Sequence, residues 1–233
     1  MPSREPRAVI FDLDDTLYPY EQFRVSGFRA VAAHLARTRR SDERAVLAAL
    51  LRSSRGPDRN REIQACLDLF ALPSDLLDEL LVIIRDHAPR LVLSVHAASA
   101  LNFLRRAGWR IGILTNGEPD VQERKIDALG LWSAVDTVVY ATTCGTGNGK
   151  PDPAAFRDVA RQLDVEPHRV VFVGNDEVCD VGGAIDAGMR AVLCSVWARP
   201  TNATRAHRIV NHLSEVPAVA QALLKGGSSS HAA

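Results

Sequence analysis

Lysine is the scarcest charged residue in this chain of 233 residues: only Lys125, Lys150 and Lys225 carry it, and every other basic residue is arginine. Against such an arginine-rich background, a lysine inside a motif carries more weight than usual. Cysteine is nearly as sparse. Cys66, Cys144, Cys179 and Cys194 lie far apart with no CxxC pair, so neither a disulfide scaffold nor a zinc knuckle is indicated, and a reducing compartment is expected. Neither sign of charge is in excess: 28 basic residues meet 28 acidic ones. No global field therefore draws nucleic acid or an anionic membrane. No apolar run reaches the roughly 18–20 residues of a bilayer span. The opening MPSREPRAVIFDLDDT has no signal-peptide core, because Asp12 and Asp14 follow at once on the short apolar AVIF. The seven histidines show no HExxH spacing, and no internal repeat is visible. These absences leave an ordinary globular chain. It is expected in the cytoplasm, as a monomer or homodimer, with no nucleic-acid or membrane partner.

What is present is alternation. Residues Ala8 to Leu13 form a short apolar run closing on acids, which reads as a buried parallel strand ending in a polar loop. From Glu21 to about Arg37 the apolar residues fall at helical spacing, and Asp42–Leu51, Glu62–Phe70 and Ser74–Asp86 continue the pattern, the last with Ser74 as expected N-cap. No strand signal appears until about Pro89. Helices at 97–107, 120–129, 153–163 and 181–187 then alternate with strands at 110–114, 137–140, 170–173 and 191–196. A short strand near Arg208 and a helix from Val216 to Leu223 follow. Such alternation predicts a doubly wound parallel α/β sheet with a smaller all-helical domain. The expected division is an α/β core at 1–17 and 93–225, a helical insertion at 18–92, and a disordered GGSSSHAA tail at 226–233.

In such sheets the site lies at the carboxyl ends of the strands. Four of those ends carry chemistry-capable groups: Asp12, Asp14 and Thr16; then Thr115-Asn116-Gly117; then Lys150; then Asn175, Asp176 and Asp180. Asp12 and Asp14, two apart, leave the strand on one side, so both carboxylates reach one space. Two such close carboxylates favour a divalent cation or one protonated member, and a hard oxygen site suits Mg²⁺. Each group also has a plain reading. DLDDT can be a solvated turn, Thr115 the cap of the next helix, Lys150 a surface lysine and GNDEVCD an acidic turn.

The four together carry more than each alone. VIFDLDDTLY, IGILTNG, GKPDPAAF and VFVGNDEVCDVGGAIDAGM, in that order, resemble the haloacid dehalogenase-like hydrolase superfamily over nearly the whole chain. The insertion resembles the helical cap that one branch places between the first two motifs. The resemblance implies a Mg²⁺-dependent phosphatase with Asp12 as nucleophile and Asp14 as general acid, then base. It implies that Thr16 braces the loop and that Thr115, Asn116, Gly117 and Lys150 hold the phosphoryl group. Asp12, Asp14 through its carbonyl, Asn175 or Asp176, and Asp180 become the implied metal set. The family usually has an aspartate where Asn175 stands, so either Asn175 or its neighbour Asp176 is the expected ligand. Relatives that cleave carbon–halogen bonds lack the acid represented here by Asp14.

By the same resemblance the cap contacts the leaving group, which makes Tyr18, Tyr20 and Arg24 candidates for substrate contact. Arg52, Arg55, Arg59 and Arg61 read either as anion-binding groups or as a solvated basic loop. The insertion contains no lysine, so Schiff-base chemistry from a cap lysine is not expected. The expected partner is a small phosphorylated metabolite, a sugar phosphate or a nucleotide. A phosphosugar mutase and a catalytically weak binding or regulatory protein on the same fold stay open as alternatives.

Overall fold

A computed structural model describes residues 5–197 and 203–225. The tail expected to be disordered, 226–233, lies outside the described residues. Contacts divide the chain into two compact units, one built from the segments up to Pro19 and from Val92 onward, the other spanning Tyr20–Leu91.

The first unit is built on six parallel strands: β1 (Ala8–Phe11), β2 (Arg110–Thr115), β3 (Thr137–Tyr140), β4 (Val170–Gly174), β5 (Arg190–Cys194) and β6 (Arg208–Val210). Their order is β3-β2-β1-β4-β5-β6, a doubly wound sheet. The first strand of the chain is thus central, flanked by β2 (Phe11 opposite Ile113) and β4 (Phe11 opposite Val173). β1 and β4 are buried along their whole length, as expected of central parallel strands covered on both faces. Ile10 and Phe172 pack with Phe156, Val159 and Ala160 in one core. Each such fully buried side chain contributes roughly 1.5–3 kcal/mol. The helices of this unit are α5 (Val95–Arg106), α6 (Pro119–Ala128), α7 (Pro153–Gln162), α8 (Gly183–Asp186) and α9 (Val216–Lys225).

The second unit is all-helical: α1 (Glu21–Arg39), α2 (Glu43–Ser53), α3 (Glu62–Leu69) and α4 (Leu76–Asp86). It has its own core, in which Phe28, Val31 and Leu35 meet Val46, Leu50, Ile63, Leu67 and Leu80. Asp42 caps α2, its side chain accepting from the Ala45 N–H at 2.9 Å. The fold class is therefore the one expected from the sequence.

Two local expectations need correction. Ser74 does not cap α4, which begins at Leu76 with no side-chain cap; the Ser74 carbonyl instead accepts from Leu77 N in the preceding turn. After β4 the chain coils at Glu177 rather than Val181. Asp176 starts it, accepting from Val178 N and Cys179 N, and the first turn is wide enough for Val181 N to reach back to the Asp176 carbonyl.

Candidate active site

The sheet order sets β1, β2 and β4 side by side, so the residues after each strand converge at one edge. Asp12 continues the ladder by one bond, its N–H donating to the Val173 carbonyl at 2.9 Å. The chain then turns sharply. Asp15 adopts a left-handed φ of 55°, and Leu17 N returns to the Leu13 carbonyl at 3.1 Å. That turn brings the Thr16 hydroxyl to 3.2 Å from Asp12 Oδ2 and 3.4 Å from Asn175 Oδ1. Thr16 thus joins the loop after β1 to the loop after β4.

Lys150 is not a surface lysine. Its side chain is 3% exposed, and its ammonium lies 2.5 Å from Asp12 Oδ1, 2.7 Å from Asp180 Oδ1 and 3.2 Å from the Leu114 carbonyl. The loop carrying it is pinned by Asn116, whose Oδ1 accepts from Lys150 N at 2.8 Å and whose Nδ2 donates to the Lys150 carbonyl. Gly149 permits this approach, since a Cβ there would meet Asn116 Oδ1 at 2.6 Å. Asp180 has a matching requirement at Gly174, where a Cβ would sit 2.4 Å from its carboxyl carbon. The second Asp180 oxygen accepts from Asp176 N at 3.0 Å.

Two carboxylates share one ammonium here, so the cluster carries a net negative charge when all three groups are ionised. The Asp12 carboxyl is raised to about 7, chiefly by burial and also by Asp180, against the opposing pull of Lys150. Burial lowers Lys150, but Asp12 and Asp180 outweigh that and hold it above its ordinary value. A buried excess of negative charge calls for a further proton or a further cation.

The implied metal set takes Asp14 through its carbonyl and Asn175 or Asp176 as alternatives, so it does not call for a cage of acidic side chains. Among the described residues no three His, Cys, Asp or Glu side chains are grouped to hold a metal ion. The reasons are visible. Asp180 is held by Lys150 and Asp176 N, Asp176 is exposed and caps its own helical turn, and the Asp14 carboxylate faces α6. What does converge beside Thr16 is the second oxygen of Asp12 and the amide oxygen of Asn175. This all-oxygen pair in a negative pocket fits Mg²⁺, which keeps several waters and takes few protein ligands beside substrate phosphate.

Asp14 is the group the sequence placed least completely. Lys125 Nζ lies 2.8 and 3.0 Å from its two oxygens, Gln122 Nε2 donates to Oδ2 at 3.2 Å, and the hydroxyl of buried Tyr18 donates to Oδ1. Gln122 also donates to the Thr115 hydroxyl at 2.5 Å. Gln122 and Lys125 were not singled out from the sequence. Two signals were available: a spacing of three on one helix, and membership of Lys125 in a set of only three lysines. Thr115 is buried at the end of β2, and Gly117 after it has a φ of 113°, a conformation open chiefly to glycine. Tyr20 and Arg24 belong to the helical unit. There Tyr20 stacks on Phe23, while Arg24 pairs with Glu21 at 2.9 Å and with the largely buried Glu62.

Both the sequence and the fold have relatives among known proteins. The chain is 32% identical over 212 residues to the glyceraldehyde 3-phosphate phosphatase of Methanothermobacter thermautotrophicus, covering 86% of this chain and 90% of that one. Among solved structures it resembles a phosphatase of the same fold from Thermococcus onnurineus (25% identity, 91% of this chain and 97% of that one, TM-score 0.61). It equally resembles the 2-haloacid dehalogenase of Pseudomonas syringae (26% identity, 93% and 99%, TM-score 0.65). The fold alone therefore leaves the reaction open between these two. The haloacid dehalogenase-like hydrolase model matches residues 6–188, which includes every strand-end residue described above, and the chain belongs to that family of hydrolases.

Proposed function

We propose that the protein is a Mg²⁺-dependent phosphatase that hydrolyses a small phosphate monoester, a sugar phosphate or nucleotide, through an aspartyl-phosphate on Asp12. The observation that carries this reading is the held carboxyl of Asp14 beside Asp12. A halide leaves carbon without a proton, so dehalogenation has no use for a second carboxyl. An alkoxide leaving phosphorus does need a proton. The triose phosphate named for the Methanothermobacter relative supports a sugar phosphate as the substrate class.

The residues divide the work as follows. An oxygen of Asp12 attacks phosphorus, the bond to the leaving oxygen breaks with its electron pair, and Asp14 gives that oxygen its proton. Water then attacks the aspartyl-phosphate, Asp14 takes its proton, and the bond between phosphorus and Asp12 breaks to release inorganic phosphate. Lys150 and the Thr115 hydroxyl hold the transferring phosphoryl oxygens, while Asp180 keeps Lys150 aimed. Asp12 and Asn175, with the Asp14 carbonyl, would hold Mg²⁺, which when bound offsets repulsion between the anionic nucleophile and the anionic ester. The test is phosphate release from a panel of phosphorylated metabolites, with Mg²⁺ and with chelator. Turnover of one small ester in Mg²⁺ only, with acid-stable label trapped on Asp12 after quenching, is expected. Release from no ester under any metal condition overturns the reading.

A further inference from the structure

Asp12 and Asp14, in the loop after β1, each have their own buried lysine. Lys150 serves Asp12, and Lys125 serves Asp14. The second pair is asymmetric: the Lys125 side chain is 4% exposed, whereas Asp14 is 27% exposed. Taking an ammonium out of water costs several kcal/mol, and an apolar residue of equal volume generally stabilises a fold as well or better. Stability therefore does not account for a lysine at the buried face of α6.

What the lysine does is fix a carboxyl plane. It touches both oxygens of Asp14 and so allows the group little freedom to rotate about its last bond. Gln122 adds a second constraint. Its one amide nitrogen bridges Asp14 Oδ2 and the Thr115 hydroxyl, which ties the acid to the end of β2. We infer that Lys125 and Gln122 are a positioning pair that aims the Asp14 carboxyl at the leaving-group oxygen. The inference rests on the phosphatase reading, because only there does the aim of Asp14 matter. Three donor groups make four hydrogen bonds to the carboxylate, so Asp14 frees a lone pair by giving up Tyr18 or Gln122. Lys125 remains as the pivot, bound to both oxygens.

The test compares two esters in the full-length protein with Mg²⁺. Para-nitrophenyl phosphate has a leaving group that departs without a proton, and glycerol phosphate has one that needs it. Lys125→Met is expected to lower kcat on glycerol phosphate on the order of 100-fold and on the aryl ester less than about 5-fold, within the range of a general acid's contribution. KM should change little for either, and Lys125→Arg should restore part of the difference. Adding Lys125→Met to Asp14→Asn should cost nothing further, since the lysine acts through the acid. Equal losses on both esters, a rise in KM alone, or an undiminished loss in the double variant would each overturn the inference. If Lys125→Met does not give the native circular dichroism spectrum, Gln122→Met decides by the same ratio, with about a 10-fold difference expected. Wild-type protein that cleaves neither ester nor any other phosphate ester defeats the phosphatase reading itself, before any variant is compared.

Discussion

Lys150 Nζ sits 2.5 Å from Asp12 Oδ1 although the two residues are 138 positions apart and almost fully buried. The contact joins the loop after β3 to the end of the central strand, and it continues through the same ammonium to Asp180 at 2.7 Å. Lys150→Met leaves two buried carboxylates facing each other without a cation. Thermal melting should show a loss of about 3–5 kcal/mol, the size seen when one partner of a buried pair is removed. Phosphate release should disappear with it. Lys150→Arg should recover little, because a planar guanidinium does not fit the space of a point charge held by three converging oxygens. Recovery of full turnover in the arginine variant would show that bulk charge, and not this geometry, is what the site needs.

Asp14 separates chemistry from scaffold. On the proposed reading, Asp14→Asn removes the proton donor while keeping the shape of the side chain. Turnover of an alkyl phosphate should fall on the order of 10²–10⁴-fold, with a far smaller loss for para-nitrophenyl phosphate. Steady-state kinetics on the two esters measure this directly. Equal losses would remove Asp14 from the role of general acid.

Much of this arrangement is legible in the chain, for definite reasons. AVIF and VVFVG are unbroken apolar runs ending in Asp or Gly-Asn, so both the strands and the chemistry at their ends show in sequence. Lys150 stands out through its rarity and its motif. The Asp14 clamp does not show, because Gln122 and Lys125 sit within a helix and reach a loop more than a hundred positions earlier. The helical spacing of the two and the rarity of lysine point to these residues, but nothing local names Asp14 as their partner. The early coil at Glu177 is hidden for a different reason: its start rests on the Asp176 cap, and two adjacent glycines, Gly182 and Gly183, close it. Gly183 is small because it must be, since a Cβ there would stand 2.4 Å from the Phe156 ring.

Gly174 should be equally intolerant. Alanine there drives a methyl into the Asp180 carboxyl, the group bonded to the Lys150 ammonium at 2.7 Å. Because Gly174 closes a central strand and Asp180 is buried, the carboxyl has little room to yield. Gly174→Ala should cost about 1–3 kcal/mol as an overpacking change. It should also lower kcat by more than Gly188→Ala, a substitution at a glycine of positive φ away from the site. A Gly174→Ala variant with wild-type kinetics would mean that Asp180 does not steer the lysine.

The pH dependence of folding offers a test of the metal that needs no turnover. In metal-free protein the Asp12 carboxyl is raised from 3.8 to about 7, chiefly by burial. The folded state then holds that proton more tightly than the unfolded chain does. This contribution to stability is complete below the ordinary carboxylate range and is lost as pH rises through about 7. Melting temperature in chelator should accordingly decline between pH 5 and pH 8 by this group's share, measured against Asp12→Asn. A cation bound to the folded form stabilises it by mass action and competes with the same proton. The rise in melting temperature on adding Mg²⁺ should thus be larger at pH 8 than at pH 5. Asn175→Asp adds an anionic oxygen beside Asp12 and Thr16, so it should enlarge that rise. Asp176→Asn should leave it nearly unchanged, because the side chain is committed to Val178 N and Cys179 N. A Mg²⁺ effect abolished by Asp176→Asn and indifferent to Asn175 would move the cation to the other side of the loop.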